Sequence, residues 1–146
     1  MVYRLNKGVL EDTFKHFHTC GQGRQECQVL WLSPWGAPQD ISKVVHPRHK
    51  AHLGGFELDD QWISDFWLEL GNTNMGIRVQ LHTHPLEAFH SEIDDAFPII
   101  HKPGFLSLVI PNFGLGPVGL DEAYLTEIQS DGRWQEVAIA SRLVLT

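Results

Sequence analysis

The alternating segment at residues 75–84 most strongly constrains the fold of this chain. Its apolar side chains occupy every second position and its polar side chains the positions between, up to His82 and His84. Side chains alternate across a strand, so this period of two predicts a β-strand with one face in the core. The two histidines then project together from the other face, where one metal ion can bind both imidazoles. The apolar residues expected in the core are Ile77, Val79 and Leu81.

A hydroxyl and a carboxylate follow the two histidines closely. Ser91 and Asp94 form a Ser-x-x-Asp pattern, which is also typical of a helix N-terminus with Ser91 as the cap. The two interpretations are compatible, because a capped helix would hold the Asp94 carboxylate in place. Two imidazoles, one carboxylate and an open position are the ligand set of a catalytic zinc site, which lowers the pKa of water to about 7.

The combined pattern resembles the H-[ST]-H-P and S-x-x-D signature of the JAMM (MPN-plus) metalloproteases, zinc isopeptidases that act on ubiquitin-like proteins. Here it consists of His82-Thr83-His84-Pro85 followed by Ser91 and Asp94. The resemblance implies that His82, His84 and Asp94 hold Zn²⁺ and that Ser91 donates to the developing oxyanion. Segments that resemble a bacterial branch of this family extend it over most of the chain: residues 88–91, 94–95 and 104–109.

The resemblance also implies a glutamate on an earlier strand, which acts as the general base. The commonest family spacing would select Gln25, but an amide cannot accept the proton. The bacterial branch favours Glu26, which directly precedes an apolar run. A shorter ligand loop leaves Asp95 as an alternative to Asp94. His90 is either a surface residue or a group that orients the site through hydrogen bonds.

Length and composition are typical of one globular domain over residues 1–146. The chain has 42% hydrophobic and 20% charged residues, enough to bury its own core. A net charge of −7 disfavours nucleic acid as a partner, because the phosphate backbone requires a basic surface. The sequence contains no apolar run of membrane-spanning length, so we expect a cytoplasmic protein.

The cysteines and a histidine-rich segment give a less specific pattern. Cys20 and Cys27 do not form a C-x-x-C pair, which favours reduced thiols over a disulfide or a thiolate zinc finger. Proline and glycine in residues 46–55 favour a mobile loop there. Three histidines in this loop lie three residues apart and could suggest a second metal, but a solvated loop is favoured: His46, His49 and His52.

Periodicity and turn residues predict an α/β (α+β) domain with helices packed on a mixed sheet, which agrees with the JAMM/cytidine-deaminase-like core that the resemblance implies. The second helix should be capped by Asp59 or Asp60 and should end near Gly71. The predicted helices cover 9–18 and about 60–72, and the predicted strands cover 26–33, 40–45, 75–84, 105–110, 122–129 and 133–139. The apolar stripe expected to pack deeply consists of Trp62, Ile63, Phe66, Trp67 and Leu70.

The function implied by the resemblance is zinc-dependent cleavage at the C-terminus of a ubiquitin-like protein, in a pathway with E1-like and E2-like enzymes. Residues 46–56 and 111–119 are the loops expected to contact the substrate tail, although a plain connecting role is equally compatible. A non-catalytic MPN scaffold is an alternative. Another is a zinc hydrolase that processes a sulfur-carrier protein or a small amide.

Overall fold

The computed structural model describes residues 1–20, 25–52, 55–89 and 99–146. Two α-helices and eleven strands lie in these ranges. In chain order they are β1 (Tyr3–Leu5), α1 (Lys7–Cys20), β2 (Gln28–Pro34), β3 (Asp40–Ile41), β4 (Lys43–Val45), β5 (His49–His52), β6 (Gly55–Leu58), α2 (Asp60–Thr73), β7 (Met75–Thr83), β8 (Leu106–Ile110), β9 (Tyr124–Ile128), β10 (Trp134–Glu136) and β11 (Leu143–Leu145).

A six-stranded mixed sheet forms the centre, in the order β10-β9-β8-β7-β2-β4. Strand β7 lies between β2, which is antiparallel to it, and β8, which is parallel to it. A smaller sheet has the order β11-β1-β3, and β5 pairs with β6 alone. The mixed sheet with its helices confirms the predicted fold class.

Two hydrophobic clusters cover the two faces of the central sheet. On one face, the buried residues of α1 pack against side chains of β2 and β7 such as Trp31 and Leu81. On the other face, α2 packs Phe66 and Leu70 against Leu30 and Leu32. We call these the α1 face and the α2 face. Thr13 Oγ1 accepts a hydrogen bond of 2.8 Å from the Trp31 indole, so the largest buried side chain has its polar atom satisfied.

A bulge in β7 changes the face of the sheet on which the side chains before it lie. Trp31 pairs with Val79 but Leu32 pairs with Ile77, so Arg78 is an extra residue on β7. Val79 and Leu81 pack on the α1 face as predicted. The prediction that Ile77 shares their face is wrong, because the extra residue turns Ile77 to the α2 face.

Helix α2 has the predicted cap but a narrower buried stripe than expected. Asp59 accepts a hydrogen bond from the backbone N–H of Trp62, and the helix runs past Gly71 to a left-handed cap at Asn74. Phe66 and Leu70 are buried, whereas Trp67 is 44% exposed. The deep packing predicted for Trp67 is therefore wrong. None of the helices in the described ranges has the length and apolarity needed to cross a bilayer.

Three other regions differ from the sequence prediction. Residues 49–52 and 55–58 form the β5–β6 hairpin, so the segment 46–55 predicted as a mobile loop contains strand β5 and the first residue of β6. The predicted strand at 40–45 is divided, because Asp40–Ile41 pairs with β1 while Lys43–Val45 pairs with β2. Strands β1 and β11 were not predicted. The short helix expected after Ser91 lies outside the described residues.

Candidate metal centre and its surroundings

His82 and His84 lie together at the end of β7 and direct the same ring atom at each other. Their Nε2 atoms are 3.2 Å apart, and the residues are only 1% and 4% exposed. Two nitrogens bound to one tetrahedral zinc at about 2.0–2.1 Å are separated by about 3.3–3.4 Å. The two imidazoles therefore fit a shared metal ion with little change in position.

The backbone holds His84 on both sides. Its N–H donates to the Ile110 carbonyl at 2.9 Å, and its carbonyl accepts from the Phe113 N–H at 2.8 Å. The ring packs edge-on against Phe89, with centroids 4.6 Å apart. These contacts fix the ring beyond the end of the regular strand. Ser91 and Asp94, together with the alternatives His90 and Asp95, lie outside the described residues.

The strand register brings Glu26 to the same end of the sheet. Gln28 pairs with His82, and Cys27 and Thr83 exchange two hydrogen bonds just beyond this pair. Continuing this register places Glu26, which is half-buried, opposite His84. Because paired residues share a face, Glu26 and the two histidines lie on the α2 face. Gln25 is exposed, and the same register does not place it on the face that carries the two histidines.

Gln28 contributes an unpaired polar atom beside His82. It is 3% exposed, and its Oε1 has no hydrogen-bond partner among the described residues. A buried acceptor without a donor costs roughly 1–3 kcal/mol. The atom is therefore suited to accept a hydrogen bond from water or a substrate amide.

A cleft of about 360 Å³ opens between residues 86–88, which follow His84 closely in sequence, and residues 111, 112 and 122. Three residues in this region have a left-handed backbone, which residues other than glycine rarely adopt. They are Asn112, Phe113 and Glu122, with φ angles of 56°, 55° and 64°. The loop at 111–119 packs closely on α1 at Gly114, because the Cβ of an alanine there would lie 2.7 Å from Phe17. The residues lining the cleft are Leu86, Glu87, Ala88, Pro111, Asn112 and Glu122.

A second group of ligand atoms lies on the α1 face. The ligand atoms of Cys20, Cys27, His46 and His49 are all within 4.8 Å of one another. We call these four residues the Cys/His cluster. The sequence prediction does not include this cluster, because its cysteines and histidines lie in separate segments that only the fold brings together. The available signal was one pair of each, C-x₆-C and then H-x₂-H. The favoured interpretation of His46 and His49 as solvated loop residues is wrong.

Hydrogen bonds within the Cys/His cluster shift its protonation equilibria. The hydrogen bond with Cys27 lowers the pKa of Cys20 to about 3, assisted by bonds from His46 and His49. The same hydrogen bond, with burial, raises the pKa of Cys27. Burial opposes a charge on His49, but the hydrogen bond to Cys20, the charge of Cys20 and the bond to the Pro47 carbonyl together raise the pKa of His49. Both cysteines are free.

Comparisons with known proteins support a metalloprotease function for this chain. No family model matches the chain. A protein from Sinorhizobium fredii named "Probable metalloprotease y4jG" is 29% identical over 141 residues, covering 88% of this chain and 84% of that protein. This relative supports a metallopeptidase-type function.

Comparisons with solved structures support the predicted fold. A protein from Desulfitobacterium hafniense matches with a TM-score of 0.64 and 16% identity, over 100% of this chain and 93% of that one. A JAB1/MPN domain protein from Archaeoglobus fulgidus matches with a TM-score of 0.56 and 11% identity, over 98% of both chains. The fold is that of an MPN domain. Together with the curated relative, it confirms the resemblance to the JAMM/MPN metalloproteases.

Proposed function

We propose that this chain is a zinc-dependent isopeptidase or peptidase that cleaves at the C-terminus of a ubiquitin-like protein in the cytoplasm. The observation that carries the proposal is the buried pair of facing Nε2 atoms of His82 and His84, 3.2 Å apart. An imidazole pair with a carboxylate suits zinc, and Asp94 is the proposed third ligand. Zinc, when bound, supplies the Lewis acidity that lowers the pKa of water to about 7.

The remaining chemistry is assigned to side chains of this chain. We assign Glu26 as the general base, because the β2–β7 register places it opposite His84 on the α2 face. Its carboxylate takes a proton from water and returns it to the departing amine nitrogen. Ser91 is proposed to donate a hydrogen bond to the carbonyl oxygen, where negative charge develops. The two histidines are buried, which keeps bulk solvent away from them on the α2 face and favours this chemistry.

The substrate is proposed to approach along the cleft beside residues 111–119. This cleft is lined by Leu86 and Asn112, close in sequence to His84 and to the Phe113 N–H that binds the His84 carbonyl. Exposed apolar side chains near it offer contacts for such a tail: Leu86, Phe89, Leu115 and Val118. The β5–β6 hairpin, which overlaps the predicted contact loop at 46–56, is the second proposed contact, because a short hairpin can pair with an extended segment. E1-like and E2-like enzymes of the same pathway are the proposed partners.

The test is a panel of ubiquitin-like proteins with C-terminal Gly-Gly tails, fused to a reporter through peptide and isopeptide bonds. We expect zinc-dependent cleavage directly after the tail, detected by intact-mass measurement. Turnover of amino-acid adducts without a folded carrier would instead favour a small-amide hydrolase, and cleavage of sulfur-carrier fusions alone would favour carrier processing. Zinc bound at the His82–His84 site with no cleavage in any format would favour an MPN scaffold.

A further inference from the structure

We infer that the Cys/His cluster is a second, structural zinc site, separate from the proposed catalytic one. Three parts of the chain supply its ligands: the C-terminus of α1 (Cys20), the start of β2 (Cys27), and the segment between β4 and β5 with the first residue of β5 (His46 and His49). The inference is independent of the proposed function, because these ligands lie on the opposite face of the sheet from His82 and His84.

The distances fit a tetrahedral ion. Cys20 Sγ lies 3.3 Å from His49 Nε2, and Cys27 Sγ lies 3.4 Å from His46 Nε2. With Zn–S bonds of about 2.3 Å and Zn–N bonds of about 2.0–2.1 Å, a tetrahedral site separates sulfur from nitrogen by about 3.5 Å. The two observed distances are close to that value, and no ligand pair exceeds 4.8 Å.

The surroundings orient the histidine rings for binding. His49 Nδ1–H donates to the Pro47 carbonyl at 2.9 Å, which directs Nε2 toward Cys20. Metal-binding histidines commonly use their second ring nitrogen in this way. The His46 ring lies between the rings of His16 and His49, at centroid distances of 5.4 and 4.9 Å. Both imidazoles are therefore held in place by groups outside the cluster.

The ligand types select zinc and a closed site. Two thiolates and two imidazoles suit a tetrahedral zinc, whereas calcium and magnesium require oxygen ligands. Four protein ligands leave no position for water, which is the arrangement of structural rather than catalytic zinc. The two thiolates also neutralise the charge of the ion, so the half-buried site carries no net charge.

The second site has a direct connection to the proposed catalytic residues. The Cys27 N–H donates to Thr83 Oγ1 at 2.9 Å, and the Cys27 carbonyl accepts from the Thr83 N–H at 3.0 Å. Thr83 lies between the two histidines of β7, and Cys27 directly follows Glu26. A zinc bound to Cys27 on the α1 face would therefore fix the backbone that carries Glu26 on the α2 face. This positioning role, unlike the zinc site itself, rests on the proposed function of Glu26.

Cobalt substitution tests the inference on the full-length chain. Cobalt bound to thiolates gives a sulfur-to-metal charge-transfer band in the near ultraviolet, which a histidine–carboxylate site cannot produce. We expect this band in the wild-type chain and in a variant carrying both His82→Ala and His84→Ala, with one zinc per chain in the latter. Cys20→Ser should lose the band. His18→Ala is the matched control, since this exposed histidine on α1 lies outside the cluster.

The wild-type measurements keep the test decisive if a variant fails to fold. A wild-type chain without the charge-transfer band would overturn the inference. So would a disulfide between Cys20 and Cys27 in protein purified with zinc, detected as zero instead of two free thiols per chain after unfolding. Loss of all zinc from the His82→Ala/His84→Ala variant while it stays folded would also overturn it. The proposed catalytic function would be unaffected by any of these three results.

Discussion

The two faces of the central sheet carry histidine groups of different origin. On the α2 face, His82 and His84 come from one strand and meet because side chains alternate along it. On the α1 face, His46 and His49 meet two cysteines only because α1, β2 and the segment after β4 pack together. The first group is a local property of the sequence and the second is a property of the fold. The open set fits catalysis, and the closed set fits a structural role.

The largest effect expected from this comparison comes from His84→Ala. The variant removes one of two facing Nε2 atoms, so the α2-face metal should be lost and turnover should fall to background. The Cys/His cluster should keep its zinc. Metal analysis of the purified chain, with His18→Ala as control, checks this. Unchanged metal content in His84→Ala would remove His84 from the ligand set.

Glu26→Gln should separate chemistry from metal binding on the α2 face. The amide keeps the size of the side chain but cannot accept a proton, so the rate should fall roughly 10²–10⁴-fold. Zinc content and the unfolding midpoint should not change. Steady-state kinetics with a cleavable fusion measures the effect, and Gln25→Ala is the matched neighbour. A near-normal rate would show that another residue is the base.

Chelation should affect stability mainly through the α1 face. A strong chelator should lower the thermal midpoint by at least about 5 °C, the shift that roughly 1–2 kcal/mol produces in a domain of this size. The variant carrying both His82→Ala and His84→Ala should show a similar decrease, because its Cys/His cluster is intact. Calorimetry with and without chelator gives both values. A decrease confined to the wild-type chain would assign the stabilising metal to the α2 face.

Gly114→Ala should weaken the contact between the loop at 111–119 and α1. The residue has a φ of +69°, and an added Cβ would lie 2.7 Å from Phe17. Left-handed backbone and close contact together should cost about 2 kcal/mol of unfolding free energy or more. Urea unfolding measures this. Gly116→Ala is the control, because apart from its chain neighbours no atom of the described residues lies within 4 Å of its Cβ position; equal effects would contradict the packing argument.

Thr83→Val tests the connection between the faces and should have the smallest effect. It removes the hydroxyl that accepts from the Cys27 N–H, leaving a buried donor unpaired at a cost of about 1 kcal/mol or slightly more. Turnover should also fall several-fold, because Glu26 is held less firmly. Thr126→Val, a buried threonine on β9, should alter stability alone. Equal turnover in the two variants would indicate that the faces act independently.

Local patterns predicted the elements that are long enough to show a period or that begin at a capping residue. Helix α1, the cap of α2 and strands β7, β8 and β9 all follow from periodicity and capping residues. The errors occur where a distant contact decides the outcome. The extra residue Arg78 turns Ile77 to the other face, and the limited width of the α2 contact leaves Trp67 exposed. Neither effect alters the local pattern of the sequence.

Short strands were difficult to predict for a related reason. Strands β1 and β11 have three residues each and are held by parallel pairing with each other across nearly the whole chain. A segment of that length has no measurable period, so only its partner defines it as a strand. The same applies to β3, which leaves the predicted 40–45 strand to pair with β1.

The amino-acid order alone determined that two imidazoles share one side of a strand, since alternation is a property of the extended backbone. Burial of those imidazoles, the position of Glu26 opposite His84 and the meeting of two thiols with two further imidazoles were decided by tertiary structure. These features depend on residues far apart in the chain. Their separation is set by how helices and strands pack, which no local pattern encodes.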